Sequence, residues 1–114
     1  MKYVIAIVQP YKLEDVRDAL NAFDIAGFSV TEVRRFGSSE EHVEFFRSVE
    51  QNVGFLPKIK VEFAVPDEIA DRAVDALREA ATTGAVGDGR IYVIELAKIV
   101  QIRSGKADAD VLAL

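Results

Sequence analysis

From Lys58 to Val65 polar and apolar residues alternate without a break: Ile59, Val61, Phe63 and Val65 on one side, Lys58, Lys60, Glu62 and Ala64 on the other. Successive side chains of an extended chain point to opposite faces, so this run reads as a strand with one buried face, in a sheet that something covers. The cover is legible as well. Leu13, Val16, Leu20 and Phe23 recur at helical spacing with charges between them, and Gly27 closes that segment. Pro66-Asp67-Glu68 opens a second helix carrying Ile69, Ala73, Leu77 and Ala80 along one side. Residues 3–8, stopped by Gln9-Pro10, predict a buried strand; residues 28–36 and 90–96 predict two more, and beyond 97 the periodicity fades.

The order strand, helix, strand, strand, helix, strand predicts an α+β, ferredoxin-like βαββαβ domain with an antiparallel sheet and both helices on one face. A small apolar domain covers its other face by oligomerising, since a large exposed patch invites aggregation. At 114 residues the chain is the size of a single domain. With no repeat, low-complexity tract or linker, the whole of 1–114 is read as that domain. A net charge of −5 disfavours nucleic acid, which requires a basic face, and the lack of cysteine removes disulfides, thiolate metal sites and cysteine nucleophiles. The opening apolar run is too short for a signal peptide or a membrane span, so a soluble, cytoplasmic domain is the expectation.

Residues 36–58 fit neither period. Segments of that length in a compact domain are usually functional or disordered. This one carries four glutamates, an arginine and the Phe45-Phe46 pair, and apolar side chains on an acidic loop call for a fold-back contact or a partner. Glu40, Glu41, His42 and Glu44 read as a solvated acidic loop, with a metal-binding trimer as the alternative. Ser38, Ser39 and Ser48 have no base and orienting acid beside them in sequence, which argues against a nucleophilic enzyme. Asp67, Glu68, Asp71 and Asp75 read as a solvated helix face. "TGAVGDG", residues 83–89, is the strongest local motif. Three glycines between a helix and a strand can converge backbone N–H groups on a phosphate, with Arg90 beside them, or can be no more than a helix cap and a tight turn. The Gly-Lys-Ser/Thr ending of a P-loop is missing.

"QPYKLEDVRDAL", "VTEVRRFG", "FLPKIKVEFAVPDEIADRAVDAL", "TGAVGDGRIYVIEL" and "QIRSG" together resemble, in order and spacing, the PII nitrogen-regulatory signal transduction family over nearly the whole chain. The resemblance implies a homotrimer that binds ATP or ADP between subunits as a regulatory ligand, with the role of Mg open, and that reports the bound state through an exposed T-loop. The T-loop corresponds to residues 38–54, the B-loop to 82–90 and the C-terminal segment to 97–114. It further implies nucleotide contacts from Gly37 and Ser38, from Gly87, Asp88, Gly89 and Arg90, and from Arg103. Ile7, Ser29 and Ala64 fall at positions that line or hold the adenine. Ser39 and Lys58 fall at the 2-oxoglutarate-associated positions and Arg47 at a partner-binding one, beside which Phe45 and Phe46 read from their own apolar character as further partner-binding anchors.

The departures from the family pattern are specific. Arg35, Ser38 and Ser39 stand where it usually has glycine, arginine and glutamine; Ala85 and Gln101 replace a lysine and an arginine; Gln51 and Val49 occupy positions modified in other members. The resemblance implies a non-enzymatic regulator of a protein target, such as an ammonium or other membrane transporter or a metabolic enzyme, in nitrogen metabolism. The alternatives are a carbon- or bicarbonate-linked paralogue sensing adenylate balance, and a ligand-free trimeric scaffold.

Overall fold

The computed structural model describes residues 1–23, 25, 27–36 and 56–112. Its long alternating run is β3, Leu56–Val65, which pairs antiparallel on one side with β1, Lys2–Val8, and on the other with β2, Ser29–Arg35. The fourth strand, β4, Arg90–Glu95, adds antiparallel to the free edge of β1, giving the order β2-β3-β1-β4. This is the strand order of the ferredoxin-like fold, and it leaves β2 and β4 as edges.

Two helices cover one face. The first, α1, Leu13–Asn21, follows a 3-10 turn at Pro10–Lys12 whose proline sits where no N–H is needed. The second, α2, Asp67–Ala81, starts after the extended Pro66 and places Asp67 and Glu68 in its first turn, where the helix dipole favours negative charge. Both helices lie over Val4, Ala6 and Val8 of β1 and Ile59, Val61, Phe63 and Val65 of β3, and bury Val16, Leu20, Ala70, Leu77 and Ala81 against them. Each fully buried aliphatic or aromatic side chain stabilises the fold by about 1.5–3 kcal/mol, so this helix face holds the domain together.

Three differences from the sequence reading have local causes. The helical spacing runs on to Phe23, but α1 ends at Asn21 and the chain turns through Ala22, with Phe23 N–H donating to the Leu20 carbonyl. Asp67 is not merely solvated. The Met1 amino group lies 3.0 Å from it and Lys2 Nζ 3.7 Å, and the amino-terminal hydrogen bond holds its carboxyl below the ordinary range. The tail also has structure: Val100 bridges Ala107 around a turn in which Gln101 N–H donates to Lys106 O and Gly105 N–H to Gln101 O. A short helix, α3, Ala109–Leu112, follows. These bonds join neighbours without an apolar repeat, so period analysis cannot see them.

Candidate functional site

On the open face, away from the helices, the strand registers place Tyr3, Ile5 and Ile7 of β1 beside Lys58, Lys60, Glu62 and Ala64 of β3, Arg90, Tyr92 and Ile94 of β4, and Ser29, Thr31, Val33 and Arg35 of β2. Ile7, Ser29, Ala64, Lys58 and Arg90 therefore share this face, at two separate ends of it. Ile7 is opposite Arg90, whereas Ala64 pairs with Tyr3, four residues along β1, and Ser29 pairs with Glu62. At about 3.3 Å per residue, the two groups stand roughly 13 Å apart within one chain.

The glycine loop sits at the Ile7–Arg90 end. Thr82 N–H donates to Arg78 O at 3.0 Å to close α2, and β4 begins at Arg90. Between them the chain turns back on itself through Gly87 and Gly89, both at φ +100, a region that side-chain-bearing residues avoid. Gly89 is fixed for a second reason: a Cβ there would lie 1.7 Å from the Ile7 carbonyl oxygen, so only glycine lets the loop rest on the end of β1.

Asp88 holds the loop from inside. Its carboxylate accepts from Thr83 N–H at 2.8 Å, Gly84 N–H at 2.9 Å, Thr82 Oγ1 at 3.4 Å and the Thr83 hydroxyl. Burial pushes this carboxyl up, but the Thr83, Gly84 and Thr82 hydrogen bonds outweigh it and hold the group below its ordinary value. The loop's first two amide donors are thus spent on the chain's own anion. The Asp88 N–H turns back towards the Ala85 carbonyl across the turn at Val86–Gly87, and among the described residues no acceptor meets the N–H groups of Gly87 and Gly89. These two donors beside an exposed Arg90 form a concavity suited to an anion.

Lys58 is the departure from simple alternation. Its neighbours Lys60 and Glu62 remain partly open, yet Lys58 is only 3% exposed, and its Nζ donates to the Gly87 carbonyl of the glycine loop at 2.7 Å. The sequence reading also passed over Arg78. It lines, with Val74, Thr82, Gly89 and Arg90, a cavity of about 440 Å³ between α2 and the start of β4, and so brings a second guanidinium to the neighbourhood of the loop.

Arg103 lies in the exposed turn after β4, next to the fully exposed Ile102, and none of its chain's described hydrogen bonds or ion pairs ties it to the glycine loop. Ala85 and Gln101 leave no cation at those positions; Gln101 instead shapes the turn, accepting from the Ser104 hydroxyl. Gly37, Ser38, Ser39, Phe45, Phe46 and Arg47 lie outside the described residues, as do Glu40, Glu41, His42 and Glu44. Among the described residues no group of three metal-ligating side chains comes together.

An antiparallel sheet with helices on one face and a glycine loop at its open edge defines an α+β domain. Comparison with known proteins narrows this. The family described as "Nitrogen regulatory protein P-II" matches residues 1–106. "Nitrogen regulatory protein GlnK" of Escherichia coli (strain K12) is 46% identical over 112 residues, covering 98% of this chain and 100% of its own. "Nitrogen regulatory protein P-II" of Rhizobium etli is 47% identical over 112 residues with the same coverage. "Nitrogen regulatory protein P-II 1" of Escherichia coli (strain K12) is 47% identical over 108 residues, 95% of this chain and 96% of that one. The chain belongs to the P-II nitrogen regulatory protein family, a family of signal transducers and not of enzymes.

Proposed function

We propose that this protein is a nitrogen-regulatory sensor that binds an adenine nucleotide between copies of itself and acts on a transporter or metabolic enzyme through residues 38–54. The observation that carries the reading is the glycine loop, whose Gly87 and Gly89 N–H groups meet no acceptor among the described residues beside the exposed Arg90. Charge-assisted contacts to phosphate are among the stronger polar contacts, and backbone donors supply the rest of the cradle.

The location between copies follows from distance. The positions that line the adenine by resemblance split into the Ile7 end and the Ser29–Ala64 end of the open face, and Arg103 is tied to neither. A second copy would complete the site. The open face also needs one: Tyr92 is 43% and Ile94 49% exposed on the edge strand, beside the partly exposed Tyr3, Ile5 and Ile7. A homotrimer closes three such faces on one another. Among the described residues no helix is long and apolar enough to cross a membrane, so a membrane transporter enters as a target and not as a property of this chain.

Calorimetry at high protein concentration with ATP, ADP and AMP tests the reading. We expect micromolar to millimolar binding that Arg90→Ala weakens about tenfold or more. Absence of heat with all three nucleotides overturns it, as does binding indifferent to Arg90→Ala.

A further inference from the structure

We propose that Asp108 is a positioning residue for Arg103: bound twice to the backbone of Ile99, it fixes residues 99–108 as one stiff arm with Ile102 and Arg103 at its exposed tip. The inference rests on the nucleotide reading above, in which Arg103 meets the phosphates, and names the residue that prepares the arm. The Asp108 N–H donates to the Ile99 carbonyl at 2.9 Å, and the Asp108 carboxylate accepts from the Ile99 N–H at 3.1 Å. One residue thus satisfies both backbone groups of the residue at the arm's other end. Its own carbonyl accepts from the N–H groups of Val111 and Leu112 at 2.9 and 3.1 Å, which starts α3.

The arm needs this hold because burial supplies little of it. No residue from 97 to 112 is fully closed from solvent, and a cavity of about 390 Å³, lined by Met1, Pro66, Asp67, Asp108 and Leu112, lies between the arm's base and the start of α2. Hydrogen bonds carry the order instead. Inside the Asp108–Ile99 pair, Val100 bridges Ala107, Gln101 N–H donates to Lys106 O at 2.8 Å and Gly105 N–H donates to Gln101 O at 2.9 Å. Asp108 is also the one non-glycine residue at positive φ among the described residues, at +54. Steric crowding at Cβ disfavours that region, and aspartate and asparagine tolerate it better than other side chains. The bonds to Ile99 offset the strain, so the conformation and the hold depend on one another. A guanidinium already held in place loses less freedom when it meets a phosphate.

The test compares the wild type with Asp108→Ala, which removes the acceptor and strains the turn, with Asp108→Asn, which keeps an acceptor and tolerates the positive φ, and with Arg103→Ala, alone and combined with Asp108→Ala. Chemical denaturation confirms that each variant is folded. In nucleotide-free protein, hydrogen exchange at the Ile99, Gln101 and Gly105 amides reports the order of the arm; calorimetry with ATP reports its consequence. The expected result is faster exchange at all three amides in Asp108→Ala, ATP binding weakened about tenfold, recovery of both in Asp108→Asn, and no further loss when Asp108→Ala is added to Arg103→Ala. Unchanged exchange at Gln101 and Gly105 in Asp108→Ala overturns the proposal. So do losses of affinity that simply add in the double variant, because Asp108 would then support the fold and not Arg103. If the wild type binds no nucleotide, the nucleotide reading fails, while the exchange measurement still decides whether Asp108 holds the arm.

Discussion

The two faces of the sheet are made of alternate residues of the same strands, and they differ in nearly every physical respect. The helix face carries Val4, Ala6, Val8, Val61, Phe63 and Val65, each closed from solvent by α1 and α2. The open face carries Ile5, Ile7, Tyr92 and Ile94 interleaved with Lys60, Glu62, Arg90 and Lys58, and all of these but Lys58 stay at least partly exposed. Tyr3 reaches Glu62 there at 3.3 Å, and Lys60 stands 3.8 Å from the same carboxylate, so even its apolar side chains border polar pairs. One face closes the fold; the other stays partly open to solvent.

The comparison breaks most readily on the helix face. Phe63→Ala should cost about 3–5 kcal/mol in urea or guanidinium denaturation, through lost burial and the cavity left behind. A cost near zero would mean that the helices do not form the core described. At the edge between the faces, Gly89→Ala forces a Cβ onto the Ile7 carbonyl and strains a positive φ; about 1–3 kcal/mol of stability and most nucleotide affinity should be lost. The open face should behave oppositely. Ile94→Glu, or Tyr92→Glu, should dissociate the proposed trimer as followed by light scattering, while each folded chain keeps its far-ultraviolet circular dichroism.

Much of this division is written in the sequence. The alternation in β3 and the helical repeats of α1 and α2 gave the fold class, because burial on one face imposes a period that survives in the residues themselves. Gly87, Asp88 and Gly89 read as a turn between a helix and a strand, and they lie between α2 and the start of β4 at Arg90. What the sequence could not give was contact between distant segments. Lys58 reads as a solvent-facing member of an alternating strand, and its hydrogen bond to the loop 29 residues later leaves no mark on that alternation. Asp88 reads as a loop carboxylate, and only the turn reveals that it fills the first amides of its own loop. Arg78 lacked any motif, and the turn after Val100 is held by local backbone bonds with no apolar repeat to betray them.

Two smaller effects sharpen the account of the open edge. The Asp88 carboxyl is held below its ordinary value in the folded protein, so its contribution to stability is fully present above the unfolded value, near pH 4. It is lost as pH falls through the lower, folded value. Asp88→Asn should remove that part of the acid dependence in denaturation measured from pH 6 down to pH ~2, with a modest loss at neutral pH. Smallest of all should be the response to 2-oxoglutarate. Lys58 Nζ is already committed to the Gly87 carbonyl, and serine at position 39 is too short to replace an amide ligand, so Mg-ATP affinity should change by less than about twofold. A clear Mg-dependent tightening in calorimetry would show that the carboxylate can take Lys58 from the loop.

The central claim is that the open face and its glycine loop form a nucleotide site only when copies of the chain meet. The direct measurement is a calorimetric titration of ATP into the assembled wild type and into the Ile94→Glu protein, with the oligomeric state of each checked by light scattering in the same buffer. The account predicts saturable binding to the assembly and none detectable for the dissociated chain, although Ile94 lies four residues from Arg90 and outside the glycine loop. Equal ATP affinity in the assembled and the dissociated protein would contradict it.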